Sequence, residues 1–222
     1  HVDECELHPD QATLLNVEGT RNIANAANEV GAHVVHISTD FIFDGKDGPY
    51  KEDAKAQPLS HYGWTKLEAE DIIKDLPSWS ILRTVLVIGI AEDLSRSNIV
   101  LWAKGALEKG QPINVVDDQF RTPTLAEDLA QGALLAADQC AQGVFNISGP
   151  DFMSIYDLVG QVAAYFGLSM ESVTRTDSTT LNQPAKRPPR TGFDISKARK
   201  ELGYEPHTFN QALEIIANQA GL

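Results

Sequence analysis

A hydroxyl, a phenol and an ammonium group occur at spacings that would let them act on one carbonyl group. Thr39 follows a β-branched run, Tyr62 comes 23 residues later, and Lys66 lies four residues beyond Tyr62. On a helix, positions i and i+4 share one face, so Tyr62 and Lys66 would point the same way. A neighbouring ammonium group lowers the pKa of a phenol, which is about 10 in water. The three residue types therefore predict proton transfer from Tyr62 to a carbonyl oxygen held by Thr39, as a cofactor supplies hydride.

A short strand must position Thr39. The β-branched run at residues 34–37 is typical of a buried parallel strand. Ser38, Thr39 and Asp40 come where this strand would end, and ligands of open α/β sheets bind at the carboxyl ends of strands. A Tyr-x-x-x-Lys pair also arises by chance, so the catalytic prediction depends on this strand end as much as on the pair.

Helix and strand patterns follow one another along the rest of the chain. The spacing of apolar residues predicts helices at 9–30, 62–76, 95–110, 125–140, 153–167, 195–202 and 209–220. Short apolar runs predict strands at 79–89, 112–116 and 143–148, whereas residues 173–189 have the composition of an irregular loop. Gly31 and Ser154 are expected to cap two of the helices. We predict an α/β fold.

Composition narrows the classes of function. The 222 residues carry a net charge of −13, which argues against nucleic acid and anionic membrane surfaces as partners. No apolar run approaches the roughly 18 residues of a membrane-spanning helix. Cys5 and Cys140 have no metal-ligand spacing, so we predict no metal site and two free thiols in the cytoplasm. All six histidines are predicted to be non-catalytic.

Two segments of the chain resemble one family of enzymes. S-T-D-F-I-F-D-G at 38–45, followed by Y-G-W-T-K-L-E-A-E at 62–70, is similar to the dTDP-4-dehydrorhamnose reductase branch of the extended short-chain dehydrogenase/reductase superfamily. The resemblance implies part of a Rossmann fold, a doubly wound parallel sheet, with a smaller carboxyl-terminal substrate-binding part. Residues 1–149 would belong to the NAD(P)-binding domain, with an excursion into the substrate-binding domain near 98–116, and residues 150–222 mainly to the substrate-binding domain.

The resemblance also implies roles for single residues. The catalytic triad would be Thr39, Tyr62 and Lys66. The residues expected to contact the cofactor, NADP or NAD, are Ser38, Tyr62, Lys66 and Arg83. The residues expected to contact the substrate are Asp40, Asn98, Arg121 and Arg187.

Two arginines would bind the diphosphate of a sugar nucleotide. Arg121 lies in F-R-T-P-T-L-A-E-D-L-A, and Arg187 lies in K-R-P-P-R, the only basic cluster of the sequence. A guanidinium group makes bidentate, charge-assisted hydrogen bonds to phosphate. A surface arginine on an acidic protein is the other interpretation of Arg121.

Three further positions bear on the site. In the family, an Asn at the position of Asn16 orders the catalytic helix, although a polar helix residue explains Asn16 equally well. Leu86 and Ile88 stand where the branch has Trp and Tyr, and that Trp lines the sugar site. The identity of the sugar therefore stays open.

A glycine-rich G-x-x-G-x-x-G loop after a strand does not occur in the sequence. A dinucleotide-binding fold uses such a loop to bring its backbone close to the pyrophosphate. In the superfamily, the opening H-V-D-E-C-E follows the fourth strand. We therefore expect a preceding segment of about 60–70 residues, roughly two βαβ units, and the cofactor predictions presume that segment.

The function implied by the resemblance is NAD(P)H-dependent reduction of a 4-keto group on a nucleotide-diphosphate sugar, as in dTDP-rhamnose biosynthesis. Two alternatives stay open. An epimerase or dehydratase would use the same triad and regenerate its cofactor in place. A non-catalytic NAD(P)-binding regulatory subunit, similar to the methionine adenosyltransferase beta subunit, would instead bind a partner enzyme. Many members of the superfamily dimerise, and the resemblance therefore implies a possible homodimer for each of these functions.

Overall fold

The computed structural model describes residues 1–91 and 98–221. Its helices are α1 (Val2–Leu7), α2 (Pro9–Thr13), α3 (Gly19–Val30), α4 (His61–Lys74), α5 (Ile99–Glu108), α6 (Ala126–Asp138), α7 (Ile155–Phe166), α8 (Ser196–Leu202) and α9 (Phe209–Ala220). Its strands are β1 (Val34–Thr39), β2 (Trp79–Thr84), β3 (Val87–Ile88), β4 (Ile113–Val116), β5 (Phe120–Arg121), β6 (Thr124–Leu125), β7 (Gly143–Asn146), β8 (Met153–Ser154) and β9 (Val173–Thr176). None of these helices is long and apolar enough to cross a lipid bilayer.

Three parallel strands form the central sheet of the described residues, in the order β1-β2-β7. Thr39 lies opposite Thr84, and Arg83 lies opposite Asn146, so the three strands end at one edge. This sheet and the helices packed on it confirm the predicted α/β fold. The edge where the strands end is the place where a ligand is expected.

Helices cover both faces of this sheet. Successive side chains of β2 point to opposite faces, so the contacts of neighbouring residues show which helices lie on each face. Ile81 is fully buried against Ala24 of α3 and Ile73 of α4. Its neighbour Leu82 is fully buried in another cluster, which includes Ala136 of α6 and residues of α8. The sheet is therefore held between two layers of helices, and α4 lies on the same face as α3.

A second core lies among α5, α7 and α9. Its fully buried side chains include Val100, Val159 and Leu213, one from each helix. Leu86 packs both against this core and against the cluster beside α6 and α8. The two cores thus meet at Leu86. The division of the chain into domains at residues 149 and 150 stays a prediction.

The start of α4 sets the position of Tyr62. The Ser60 hydroxyl caps the helix by accepting a hydrogen bond from the Gly63 amide at 3.3 Å. A Cβ atom on Gly63 would stand 2.3 Å from the carbonyl oxygen of Phe41, just after β1. Glycine therefore lets α4 approach the carboxyl end of β1 closely, where Thr39 lies.

The strand predicted at 79–89 is divided in the structure. β2 ends at Thr84, and Leu86 has a φ of 39°, which residues with a side chain rarely adopt. The chain turns there, so β3 leaves the central sheet and pairs with β6. The apolar run gives no sign of this turn, because leucine is not a residue that favours turns.

The prediction of an irregular loop at 173–189 is wrong for its first four residues. Val173–Thr176 form β9, which pairs in parallel with β4 and places Val173 opposite Ile113. The middle residues of β9 are exposed, which removes the apolar alternation by which a strand is recognised. The helix predicted at 95–110 is α5, whose observed start is Ile99, and residues 95–97 lie outside the described residues.

Candidate active site

The triad predicted from the sequence lies around one cleft, at the carboxyl end of β1. This cleft has a volume of about 310 Å³, and its lining includes Thr39, Tyr62 and Lys66. Ser38 and Asp40 line it as well. The structure therefore brings a hydroxyl, a phenol and an ammonium group to one place, whereas their catalytic roles stay predictions. We call this space the triad cleft.

Tyr62 packs against an aromatic ring and is largely buried. Its ring meets the ring of Phe41 edge to face, with 5.7 Å between the ring centroids. Burial raises the pKa of Tyr62, and a hydrogen bond with the Thr39 hydroxyl partly offsets this rise. The sequence predicted a pKa lowered by Lys66. That prediction is wrong for this structure, because burial of the phenol dominates.

Lys66 is tied to the strand beside it. Its Nζ donates a hydrogen bond to the carbonyl oxygen of Ile37 at 2.7 Å and lies 3.5 Å from Nε2 of His36. Burial lowers the pKa of Lys66, and the carboxylate of Glu70 opposes this effect. Burial and the nearby Lys66 together lower the pKa of His36 to about 4, so His36 is neutral at pH 7. A neutral imidazole nitrogen can accept from the ammonium group.

Asn16 supports the helix that carries the triad. It lies in a π-helical turn, Leu14–Glu18, which joins α2 to α3 and interrupts the single helix predicted there. Its Nδ2 donates to Oγ1 of Thr65 at 3.0 Å, and that hydroxyl donates to the carbonyl oxygen of Tyr62 at 2.9 Å. The backbone of Tyr62 is thus held through Thr65, which favours the ordering role over a generic polar residue.

Arg83 bonds protein groups in this structure, and its contact with the cofactor stays a prediction. Its Nε and Nη2 donate to Glu70 at 2.9 and 2.8 Å, and Nη1 donates to the carbonyl oxygen of Glu52 at 2.9 Å. Arg83 is absent from the described lining of the triad cleft. Its guanidinium group is buried in an ion pair beneath the cleft, and so faces protein.

Glu70 is a further residue of the site, which was not among the residues predicted from the sequence. It is fully buried and also accepts a hydrogen bond from the Ser38 hydroxyl at 2.6 Å. Burial is the largest single effect and raises the pKa of Glu70, but the hydrogen bonds and charge of Arg83, the Ser38 hydroxyl and the charge of Lys74 together hold it below its usual value. The i+4 spacing from Lys66 would have placed Glu70 on the same face of α4. The Ser38 hydroxyl therefore donates its hydrogen to Glu70, although Ser38 lines the triad cleft.

A larger cleft adjoins the triad cleft. It has a volume of about 510 Å³, and it shares Phe41 and Leu86 with the triad cleft. Three of the predicted substrate residues line it, namely Asn98, Arg121 and Arg187. We call it the arginine cleft. Asp40, the fourth residue predicted to contact substrate, lines the triad cleft instead.

Arg121 is buried, so its interpretation as a surface arginine is wrong. Its Nη1 donates to the carbonyl oxygens of Phe120 at 2.7 Å and Pro189 at 3.1 Å, and Nη2 donates to Pro188 at 2.8 Å. Its Nε lies 3.7 Å from Oδ2 of Asp40. Burial lowers the pKa of Arg121, which the carboxylate of Asp40 opposes. Arg121 therefore fixes the Pro188–Pro189 backbone at the edge of the arginine cleft.

The other two predicted substrate residues of the arginine cleft, Asn98 and Arg187, make different contacts. Asn98 caps α5, with Oδ1 accepting from the amides of Val100 at 3.0 Å and Leu101 at 3.2 Å. Arg187 forms an ion pair with Asp3 of α1, at 2.8 Å between Nη2 and Oδ2. Repulsion from Arg187 also lowers the pKa of Arg121, and both arginines line the arginine cleft. Contacts of these residues with substrate stay predictions.

Comparisons with known proteins show the family and the fold of the chain. A family model described as the RmlD substrate binding domain matches residues 1–221. A solved dTDP-4-dehydrorhamnose reductase from Clostridium acetobutylicum is 31% identical, with 100% of this chain and 78% of that chain covered and a TM-score of 0.92. Another, from Bacillus anthracis in complex with NADP, is 25% identical, with 99% and 77% covered and a TM-score of 0.91. These likenesses confirm the predicted partial Rossmann fold.

The chain is also similar to a protein named for a different activity. The methionine adenosyltransferase 2 subunit beta of Bos taurus is 32% identical over 202 residues, which are 88% of this chain and 60% of that relative. The chain thus spans about three-fifths of the length of this relative and about three-quarters of the two solved reductases.

Proposed function

Because this chain belongs to the RmlD substrate binding domain family, we propose that it serves NAD(P)H-dependent reduction of a 4-keto group on a nucleotide-diphosphate sugar. One observation carries the proposal: Thr39, Tyr62 and Lys66 meet in a cleft that adjoins the cleft of two arginines. The likeness to two dTDP-4-dehydrorhamnose reductases supports the class of substrate.

The triad cleft suits the nicotinamide end of NADP or NAD. Tyr62 and Lys66 offer hydroxyl and ammonium donors at the carboxyl edge of a parallel sheet, where dinucleotides bind. The likeness to a reductase solved with NADP supports this assignment. When bound, the nicotinamide supplies the hydride. We assign its pyrophosphate to none of these 222 residues, because the sequence contains no glycine-rich loop.

Each triad residue has a distinct task in the proposed reaction. Tyr62 donates its phenolic proton to the carbonyl oxygen of the sugar, and burial keeps the phenol protonated at neutral pH. The Thr39 hydroxyl, which donates to Oδ1 of Asp40 at 3.2 Å in this structure, turns its hydrogen to the same carbonyl oxygen when the sugar binds. Lys66 is anchored to Ile37 and places a positive charge beside the oxygen that becomes negative.

The arginine cleft is proposed to hold the nucleotide diphosphate. Arg121 and Arg187 provide positive charge in a protein whose net charge is −13. The cleft also carries amide side chains, which can hydrogen-bond a base or a sugar. Because the two clefts share Phe41 and Leu86, a sugar that crosses between them would bring its keto group to Tyr62. Binding energy from the diphosphate would thereby position the reacting group.

The decisive experiment supplies the protein with NADPH or NADH and dTDP-4-dehydrorhamnose, and follows both the cofactor and the sugar. We expect one cofactor molecule to be consumed for each sugar reduced. Conversion of a nucleotide sugar without net cofactor consumption would instead establish an epimerase or dehydratase. Binding of substrate and cofactor without any conversion would contradict the reductase proposal.

A second candidate is a subunit that binds a partner enzyme. The 32% identity to a methionine adenosyltransferase subunit beta favours it. Co-purification with a methionine adenosyltransferase, together with a change in the activity of that enzyme, would support this candidate. Absence of both effects, with reductase turnover present, would exclude it.

The proposal includes a cytoplasmic location and the division of the chain at residues 149 and 150. Cys5 and Cys140 are free thiols, which supports a reducing compartment. The separate core among α5, α7 and α9 supports a substrate-binding part. Limited proteolysis that cleaves first near residue 150 would support the boundary.

A further inference from the structure

We propose that Asp3 is a positioning residue that orients Arg187 toward the diphosphate of the nucleotide sugar. The inference rests on the proposed function and extends it to a residue of α1 that lies outside both clefts. Asp3 and Arg187 are 184 positions apart in the chain, and their side chains meet in a partly buried ion pair.

Asp3 holds both Arg187 and the segment that carries it. Its Oδ1 accepts from Nη1 of Arg187 at 3.0 Å, and Oδ2 accepts from Nη2 at 2.8 Å. The same Oδ1 accepts from the backbone amide of Ala185 at 3.2 Å. The side chains of Asp3 and Arg187 are 20% and 18% exposed, so water competes weakly for this pair. The hydrogen bonds hold the pKa of Asp3 below its usual value, which keeps it charged at neutral pH.

The pairing leaves one edge of the guanidinium group for a ligand. Both hydrogens of Nη1 are used, because Nη1 also donates to the carbonyl oxygen of Ala185 at 3.1 Å. Among the described residues, Nε and the second hydrogen of Nη2 have no hydrogen-bond acceptor. These two donors form the side fork of arginine, which matches two oxygens of a phosphate. Since Arg187 lines the arginine cleft, Asp3 fixes the side chain by one edge while the other stays available.

The position of α1 fits a role in aligning the two clefts. Val2 lines the triad cleft. Glu6 accepts a hydrogen bond from the backbone amide of His61, the first residue of α4, at 2.9 Å. The helix thus contacts the start of the helix that bears Tyr62 on one side and Arg187 on the other. Asp3 is the part of α1 that acts on the arginine cleft.

An alternative is that Asp3 competes with the ligand for Arg187, and it predicts a change of binding in the opposite direction. If the carboxylate mainly neutralised Arg187, its removal would strengthen binding of an anion. We expect weaker binding, because an unpaired Arg187 samples many rotamers and must lose that freedom when the diphosphate binds. The sign of the change therefore separates orientation from competition.

The test is a double-mutant cycle read by titration calorimetry with dTDP. We expect Asp3→Asn to weaken dTDP binding by about tenfold, and Arg187→Gln by at least as much. Because Asp3 acts through Arg187, the double variant should bind as weakly as Arg187→Gln and no weaker. Glu4→Gln is the matched control, since it removes one negative charge from the same helix at a site whose pair with His8 is exposed.

Each outcome has one meaning. Unchanged or stronger dTDP binding by Asp3→Asn, while the original protein binds dTDP, overturns the inference alone. A further loss in the double variant also overturns it, because Asp3 would then act on the fold rather than on Arg187. If the original protein and Glu4→Gln both fail to bind dTDP, the proposed function fails and the inference falls with it. Should Asp3→Asn not fold, Asp3→Glu replaces it in the cycle, with a smaller expected loss because its carboxylate is displaced by one methylene.

Discussion

Burial, rather than the lysine one turn away, sets the direction in which the pKa of Tyr62 is shifted. Burial raises the pKa of Tyr62, whereas Lys66 directs one hydrogen bond to the Ile37 carbonyl. A phenol of this kind acts as a proton donor at neutral pH. It would therefore serve reduction of a carbonyl directly, since reduction needs a proton from the enzyme.

Replacing Tyr62 with Phe tests its role as the proton donor. The change removes one oxygen and keeps the ring that contacts Phe41. We expect kcat for sugar reduction to fall by about 10²- to 10⁴-fold, the usual contribution of a general acid, with little change in dTDP binding. Tyr165→Phe is the control, because Tyr165 is exposed on α7. Full activity of Tyr62→Phe would contradict the proposed reaction.

The pH profile of reduction gives a second test of Tyr62. A general acid works in its protonated form, so activity falls as pH rises through its pKa. Because the pKa of Tyr62 is raised above its ordinary value of about 10, we expect kcat to show no loss attributable to Tyr62 between neutral pH and about pH 10. A decline centred near pH 7 that Tyr62→Phe abolishes would show that Lys66 lowers this pKa after all.

At the scale of elements, Glu70 joins α4 to the two strands beside it. Its carboxylate accepts from Ser38 of β1 and from Arg83 of β2. Arg83 is buried, and its guanidinium group also lies over the ring of Phe43, 5.5 Å from the centroid. The ion pair therefore fixes the helix of Tyr62 and Lys66 against the sheet from below.

Glu70→Gln should destabilise the protein strongly. The change leaves the buried Arg83 without its carboxylate, and breaking a buried pair in this way costs about 3–5 kcal/mol. The free energy of unfolding in urea measures this cost. Glu68→Gln is the control on the exposed side of the same helix, with an expected change within about 0.5 kcal/mol. Equal stability of the two variants would contradict the structural role of the pair.

The close approach of α4 to β1 gives a prediction about Gly63. A Cβ atom there would lie 2.3 Å from a backbone oxygen, so Gly63→Ala forces the helix away from the strand end. We expect a loss of about 1–3 kcal/mol in the free energy of unfolding. Gly160→Ala in α7 is the matched control, because no atom other than those of its chain neighbours and the surrounding helix backbone lies within 4 Å of its Cβ position. That change should stabilise the helix by about 1 kcal/mol, and a Gly63→Ala variant of equal stability would refute the close approach.

At the scale of the whole molecule, two cores and two clefts meet at the same residue. Leu86 packs against both cores and lines both clefts. Its left-handed backbone directs β3 away from the central sheet and toward β6. A rearrangement of one core at this point would therefore alter the passage between the two clefts.

For binding of an anionic ligand, the local distribution of charge matters more than the net charge of the protein. The net charge of −13 describes the molecule as a whole, yet two arginines line one cleft. Each of them is balanced by a carboxylate, Asp40 beside Arg121 and Asp3 beside Arg187. The arginines are thus fixed in place, which lowers the entropy lost when an anionic ligand binds.

The sequence by itself determined most of the helices, the strands of the central sheet and the place of the triad, whereas the division of residues 79–89 and strand β9 escaped it. The strand ending in Ser38-Thr39-Asp40 and the i+4 pair Tyr62 and Lys66 are local patterns, because side-chain direction repeats with a period of 2 in strands and 3.6 in helices. Once the parallel sheet is inferred, the end of β1 is the expected place for a ligand. These residues do line one cleft in the structure.

The tertiary structure alone decided the partners of the charged side chains. Arg83 meets Glu70, and Arg187 meets Asp3, across separations of 13 and 184 residues. The pKa of Tyr62 likewise depends on burial by residues that are distant in the sequence. No periodic pattern encodes such contacts, because they depend on how the helices pack on the sheet and where Leu86 turns the chain. The identity of each residue sets which chemistry is available, and the packing sets which partner that chemistry meets.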